Sequence, residues 1–164
     1  MHDMTSTRRR VGRRARTELR FLILAAQREG HRALSRFLKT LEVTPAQAEI
    51  LLVLATYEPL TLAELGRLIV SETTSPSRIV EGLIRLGLVE REPGQLDRRV
   101  VQLRLTEAGR LRVPKILKVD QDMDEQFLGQ LSEDEAALIG DALRRVLKGT
   151  SGGDAVEQRF GPAA

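Results

Sequence analysis

Cysteine and tryptophan are absent from the 164 residues, and histidine occurs only at His2 and His31. Without cysteine there are no disulfides, no thiolate metal sites and no cysteine redox sensing. Two histidines are too few for a histidine-built metal site in one chain. The aromatic side chains are Phe21, Phe37, Tyr57, Phe127 and Phe160, a poor basis for stacking single-stranded nucleic acid. Long apolar runs are missing as well. Ser6-Thr7-Arg8-Arg9-Arg10 followed by Phe21 to Ala26 imitates an export signal. The apolar part is too short, however, and Gln27-Arg28-Glu29 ends it without a small-residue cleavage site. No stretch approaches the ~20 apolar residues of a membrane span, so the expected location is the cytoplasm, with no membrane partner. Nor is there a nucleophile–histidine pair, a phosphate loop or a metal set. The sequence therefore points away from an enzyme, and no cofactor is expected.

What is present suits a soluble protein, either one compact domain or one domain plus a dimerisation element: 41% hydrophobic and 30% charged residues. The net charge of +3 hides an asymmetry. Residues 1–20 carry seven arginines against Asp3 and Glu18, and residues 117–164 carry five basic and ten acidic side chains. The basic end suggests an anionic partner. Arginine outnumbers lysine by 22 to 4, a bias that favours bidentate phosphate contacts.

Residues 1–12 read as a disordered, Arg-rich arm. From about residue 14 to 41, Leu19, Leu22, Ile23, Ala26, Ala33, Leu34, Phe37, Leu38 and Leu41 recur at helical spacing, with Gly30 a weak point. A helix this long exceeds what a small core covers, so part of it should pack on another chain. Thr44-Pro45-Ala46-Gln47 and Thr61-Leu62-Ala63-Glu64 are capping boxes that each open a helix. The first leads into Ile50 to Ala55, apolar all round and so central. The second helix should run to about Val70, with a turn at residues 71–74. Ser75-Pro76 starts the next helix, and Gly87 stops it. Residues 88–92 and 99–105 read as strands, with Val101, Leu103 and Leu105 on one buried face. Thr106 caps a helix running towards Gln130 with a kink at Pro114. Ser132-Glu133-Asp134-Glu135 is a third capping box, opening a helix striped with Leu138, Ile139, Ala142, Leu143, Val146 and Leu147. Residues 149–164 read as a disordered tail.

From Leu60 to Thr106 the order is short helix, turn, second helix and basic hairpin. That order is a winged helix-turn-helix. The first helix braces the second, which presents its amino-terminal turn to base edges and phosphates. Here that turn is Thr73-Thr74-Ser75-Pro76-Ser77-Arg78. Small hydroxyls permit close approach, helix N–H groups donate to phosphate, and Arg78 has the reach to grip a guanine edge bidentately. The candidate recognition residues are Thr74, Ser75, Pro76, Ser77 and Arg78. In the wing, Asp97 is expected to brace Arg99 by an ion pair, leaving Arg98 or Arg99 for the minor groove or for phosphate. Residues 61–112 hold nine arginines against seven acids. That modest excess fits a second reading too, a winged helix kept as a protein-interaction module without DNA binding.

The pieces Thr44-Pro45-Ala46-Gln47, Leu60-Thr61-Leu62-Ala63-Glu64-Leu65, Ser77-Arg78-Ile79-Val80, Leu83 to Arg91, Asp97-Arg98-Arg99 and Leu103 to Gly109 follow one another in a specific order and spacing. Together, residues 43–110 resemble the DNA-binding core of the MarR family of transcriptional regulators. The resemblance implies a mainly α fold with a small β wing and about six helices. It also implies a homodimer held by an N-terminal helix (13–42) and C-terminal helices (111–148). Such a protein would bind a pseudo-palindromic double-stranded DNA operator as a repressor, released by a small anionic or aromatic effector. By motif position, Ser77 and Arg78 would lie in the major groove and Arg99 in the wing, with Asp97 as its brace. The chain departs from the family's thiol-based peroxide sensors, since it has no cysteine, and its Arg-rich extension is not a general family feature.

Other signals are weaker. Asp120, Asp122 and Asp124 imitate the start of a calcium loop, but the sixth position is Glu125 and the twelfth Leu131, where glycine and glutamate are needed. His31 and Tyr57 are candidate ligand-pocket residues, though each also reads as an ordinary surface or structural side chain. The arginines at 8–16 read equally as a DNA-contacting arm or a solubilising tail.

Overall fold

The computed structural model describes residues 3–71, 75–95 and 97–161, with side chains from residue 14 onward. The centre of the fold is α2 (Pro45–Tyr57), whose Ala48, Ile50, Leu51, Val53 and Leu54 are all buried. A helix apolar on every side must be wrapped on every side. The wrapping comes from α1 (Asp3–Leu38), α3 (Leu62–Leu68), α4 (Pro76–Arg85), strand β2 (Val101–Leu105) and α5 (Glu107–Leu128). A single 3-10 turn, Lys39–Leu41, joins α1 to the core. Beyond α5 come α6 (Glu133–Leu147) and α7 (Ser151–Phe160). The fold is thus mainly α with a small β wing.

The three expected capping boxes form. Thr44, Thr61 and Ser132 accept from the backbone three residues on, and Gln47, Glu64 and Glu135 reach back to the cap N–H. The Thr61 N–H and hydroxyl hold the Glu64 carboxyl below its ordinary value. Thr106 does two jobs. Its hydroxyl donates to the Gly87 carbonyl at 2.6 Å and accepts from the Gly109 N–H at 3.0 Å. It thereby fastens the end of α4 to the start of α5. Gly87 has φ +69°, the left-handed cap that ends α4. A Cβ on Gly109 would run into the Leu88 carbonyl oxygen, so the close approach there requires glycine.

Strand β1 (Val89–Pro93) pairs antiparallel with β2 in the register Val89 with Leu105 and Pro93 with Val101. Leu60 adds a two-way backbone bridge to Leu103. Leu103 and Leu105 are buried, but Val101 is exposed. The hairpin leaves the core after its first pairs, so alternation no longer implies burial at its far end.

Three expectations need correction. The backbone from Asp3 is helical, so the arm expected to be disordered extends α1. Once residues 14–38 are helical, propagation into an arginine-rich stretch costs little. The expected disordered tail at 149–164 contains α7. Thr150 caps it, and Gly153 and Ala155 are buried as it packs on α3. Among the described residues there are therefore seven helices rather than six. Helix α5 spans Glu107–Leu128 with Pro114 inside it. The three aspartates of the calcium-like pattern lie on it, and no cluster suited to a metal occurs among the described residues.

Two stability predictions follow from this packing. Leu51 is fully buried in α2, so Leu51→Ala should cost about 2–5 kcal/mol in chemical denaturation. On α5, burial first and then the neighbouring Asp124 push the Asp120 carboxyl above its ordinary value. A carboxyl raised on folding favours the protonated fold, so its contribution is greatest in acid and is lost as pH rises through the folded value. Asp120→Asn should therefore raise the melting temperature at neutral pH and leave it nearly unchanged in acid. An unchanged or lower midpoint at neutral pH would contradict this.

Candidate nucleic-acid interface

Helix α4 begins with Pro76, whose ring suits a first helical position. Its inward face is Ile79, Val80 and Leu83, all buried. That burial turns Ser75 and Arg78 outward, both exposed, with Pro76 and Ser77 partly so. Helices α2, α3, α5, α6 and α7 each have a side-chain cap, whereas α4 has none. The Ser75 hydroxyl lies 2.7 Å from that of Ser77 instead. The start of α4 thus offers hydroxyls, an uncapped helix end and one guanidinium, a set suited to an anion. Thr74 lies outside the described residues.

The wing turn is organised by Asp97 differently from the expected ion pair. Its Oδ1 accepts from the Arg99 backbone N–H at 2.9 Å, and its carbonyl accepts from the Val100 N–H at 3.0 Å. A short aspartate reaches the backbone two residues on more easily than it reaches the end of an arginine. Asp97 therefore shapes the turn and leaves the Arg99 guanidinium unengaged. Asp97, Arg98 and Arg99 are all exposed.

The arginines divide cleanly. Arg91 pairs with Glu81 and Arg110 with Glu58, Arg104 pairs with Glu92 at 2.8 Å, and Arg112 donates to the Leu41 carbonyl. Arg67, Arg78, Arg85, Arg98 and Arg99 have no carboxylate partner among the described residues. Of the acids that would offset them, Glu81 and Glu92 are spent on scaffold arginines and Glu64 and Asp97 on backbone. The local charge facing a ligand from α4 and the wing is thus more positive than the count over residues 61–112 suggests.

The turn ahead of α4 is held from α2, by a residue the sequence reading missed. Glu49 accepts from the Val70 and Ser71 N–H groups at 2.8 and 3.0 Å, and from Arg159 of α7 at 2.6 Å. Its one visible signal is a carboxylate inside an otherwise apolar helix. His31 is exposed on α1. Tyr57 lines a cavity of about 260 Å³ with Leu52, Val113, Leu117, Asp120 and Phe160, and His31 is not part of that lining.

These elements in this order make a winged helix-turn-helix, a fold class that presents one helix to the major groove. A family model described as a winged helix DNA-binding domain matches residues 43–109. The multiple antibiotic resistance protein MarR of Escherichia coli K12 is 28% identical over 127 residues, spanning 77% of this chain and 88% of its own. A crystal structure of a mutant of that protein complexed with operator DNA superposes with a TM-score of 0.72, covering 79% of this chain and 94% of its own at 28% identity. An organohalide-sensing transcriptional regulator in its ligand-free form shares the fold, with a TM-score of 0.74 at 23% identity over 83% of this chain and 81% of its own. In sequence and fold the chain is similar to MarR transcription regulators, and its residues 43–109 match a winged helix DNA-binding domain.

Mutation should separate the two parts of this surface. Arg78→Ala should cost about 1–3 kcal/mol on the cognate duplex and blur sequence preference. Arg99→Ala should weaken all duplexes alike and lower the salt slope by about one unit per contact. Asp97→Ala should act as a milder Arg99→Ala, since it loosens the turn that carries the arginine. Titration of each variant on cognate and scrambled DNA at several salt concentrations measures all three.

Proposed function

We propose that the protein is a homodimeric, ligand-responsive repressor that reads a pseudo-palindromic operator. The observation that carries this is a set of exposed arginines without a carboxylate partner among the described residues, Arg78 at the start of α4 and Arg98 and Arg99 in the wing, while Arg91, Arg104 and Arg110 are paired. In this reading Ser75, Pro76, Ser77 and Arg78, with Thr74 before them, enter the major groove. Arg98 and Arg99, held by the turn that Asp97 organises, follow the flanking backbone or minor groove.

The dimer rests on apolar surface that one chain leaves open. Phe21 and Leu22 of α1 are 57% and 59% exposed, and Leu138 and Val146 of α6 are each 70% exposed. Helix α6 buries no residue at all. Burial of apolar area stabilises by roughly 25 cal/mol per Å², so covering both stripes with a second copy is strongly favoured. Two copies related by a twofold axis would read two half-sites in opposite orientation. We place the effector, of small anionic or aromatic character, in the cavity beside Tyr57, whose apolar walls carry the Asp120 carboxylate and Arg159, the latter paired with Glu49. No helix among the described residues is long and apolar enough to cross a membrane, and the reading places the protein in the cytoplasm.

Sedimentation at micromolar concentration should give a dimer of the 18.3 kDa chain. Gel shift should show salt-sensitive, sequence-selective binding to DNA upstream of its own coding sequence. A folded monomer would overturn the dimer. A dimer with no preference for any duplex would favour the protein-interaction reading.

A further inference from the structure

We infer that α7 sets the position of the recognition helix through Arg159 and Glu49, which are positioning residues for DNA binding. The inference rests on reading the protein as a DNA-binding regulator. Helix α3 ends at Leu68, and Ile69 is already extended, with ψ 140°. The next two N–H groups, on Val70 and Ser71, both donate to the Glu49 carboxylate, one to each oxygen. Glu49 therefore fixes the chain as it leaves α3, four residues before the Ser75 cap of α4. Its side chain is only 13% exposed, and Arg159, 16% exposed, supplies the counter-charge. A carboxylate so placed is costly without one.

Arg159 is itself held. Its guanidinium lies 4.9 Å from the Phe160 ring centroid, and α7 packs on α3. The C-terminal helix thus grips both the body of α3 and the turn that follows it. Arg159 is too enclosed to serve as a phosphate contact. It acts on DNA only through the backbone that Glu49 holds. A small displacement of that backbone moves Ser77 and Arg78 relative to base edges, where hydrogen bonds tolerate little error.

The test measures amide hydrogen exchange in the free full-length protein, and binding to the duplex upstream of its own coding sequence. Arg159→Ala should speed exchange at Val70 and Ser71 and weaken binding about tenfold, the scale of a lost charge-assisted hydrogen bond. The salt slope should stay unchanged, since no phosphate contact is lost. Arg159→Lys should recover most of the affinity. The exchanged pair Glu49→Arg with Arg159→Glu should not, although it preserves opposite charges, because arginine cannot accept the two N–H bonds. Unchanged exchange in Arg159→Ala overturns the inference, whether or not DNA binds. Recovery by the exchanged pair also overturns it, reducing the contact to an ordinary ion pair. If Arg159→Ala lowers the salt slope, Arg159 is a phosphate contact and the positioning role fails. Failure of the wild-type chain to bind any duplex would instead strike the DNA-binding reading, and the positioning role with it.

Discussion

A helix that is apolar on all sides cannot tolerate an open face, and α2 imposes that constraint on this chain. Ile50, Leu51, Val53 and Leu54 are at most 1% exposed, and no single neighbour could cover them. Helices α1, α3, α4 and α5 and strand β2 all pack against the same rod. The outward side of α4 follows from this. Because Ile79, Val80 and Leu83 go inward to α2 and its neighbours, Arg78 must point out. The wing likewise starts where Leu103 and Leu105 are pinned and ends where Val101 no longer touches the core.

Polar contacts then refine what burial has arranged, and they concentrate at the joints. Thr106 ties the end of α4 to the start of α5 with one hydroxyl. Glu58 accepts from the Leu105 N–H at 2.6 Å and pairs with Arg110, so it fixes the base of the wing to α5. Glu49 performs the equivalent task at the turn between α3 and α4. Each carboxylate sits at an end or edge of α2 and takes backbone N–H groups that would otherwise be unmatched. The rod that organises the core thus also carries the fittings that fix the chain leaving α3 and the base of the wing.

Legibility from the sequence followed the range of the interaction. The capping boxes at Thr44, Thr61 and Ser132 are local, spanning three residues, and all three form as their spacing implies. The apolar period located α1, α2 and α6, and Gly87 marked the end of α4. Contacts between distant positions left little trace. Nothing near Glu49 announces Arg159, 110 residues away. Asp97 was read as a partner for a guanidinium because both are charged, but the backbone N–H was closer. Helix α7 was hidden by its own glycines. Gly152 and Gly153 lower helix propensity, yet Gly153 is buried beside the Leu147 carbonyl, where a side chain would not fit. The residue that argues against a helix locally is the one that lets the helix pack.

The same distinction explains why net charge was a poor guide to the interface. A sum over residues 61–112 treats every arginine and every acid alike. In the fold, acids pair with the arginines of β1, β2 and α5, and the one acid in the wing turn is turned onto backbone. Pairing costs the paired arginines their freedom and cancels their field at short range. It leaves Arg67, Arg78, Arg85, Arg98 and Arg99 exposed and without a carboxylate partner among the described residues, and three of these lie at the start of α4 and in the wing. Exposed cations with no carboxylate to displace gain most from a phosphate backbone, because nothing must be broken before the new contact forms. The specificity of the surface therefore lies less in how many arginines the segment contains than in which of them the scaffold has already used.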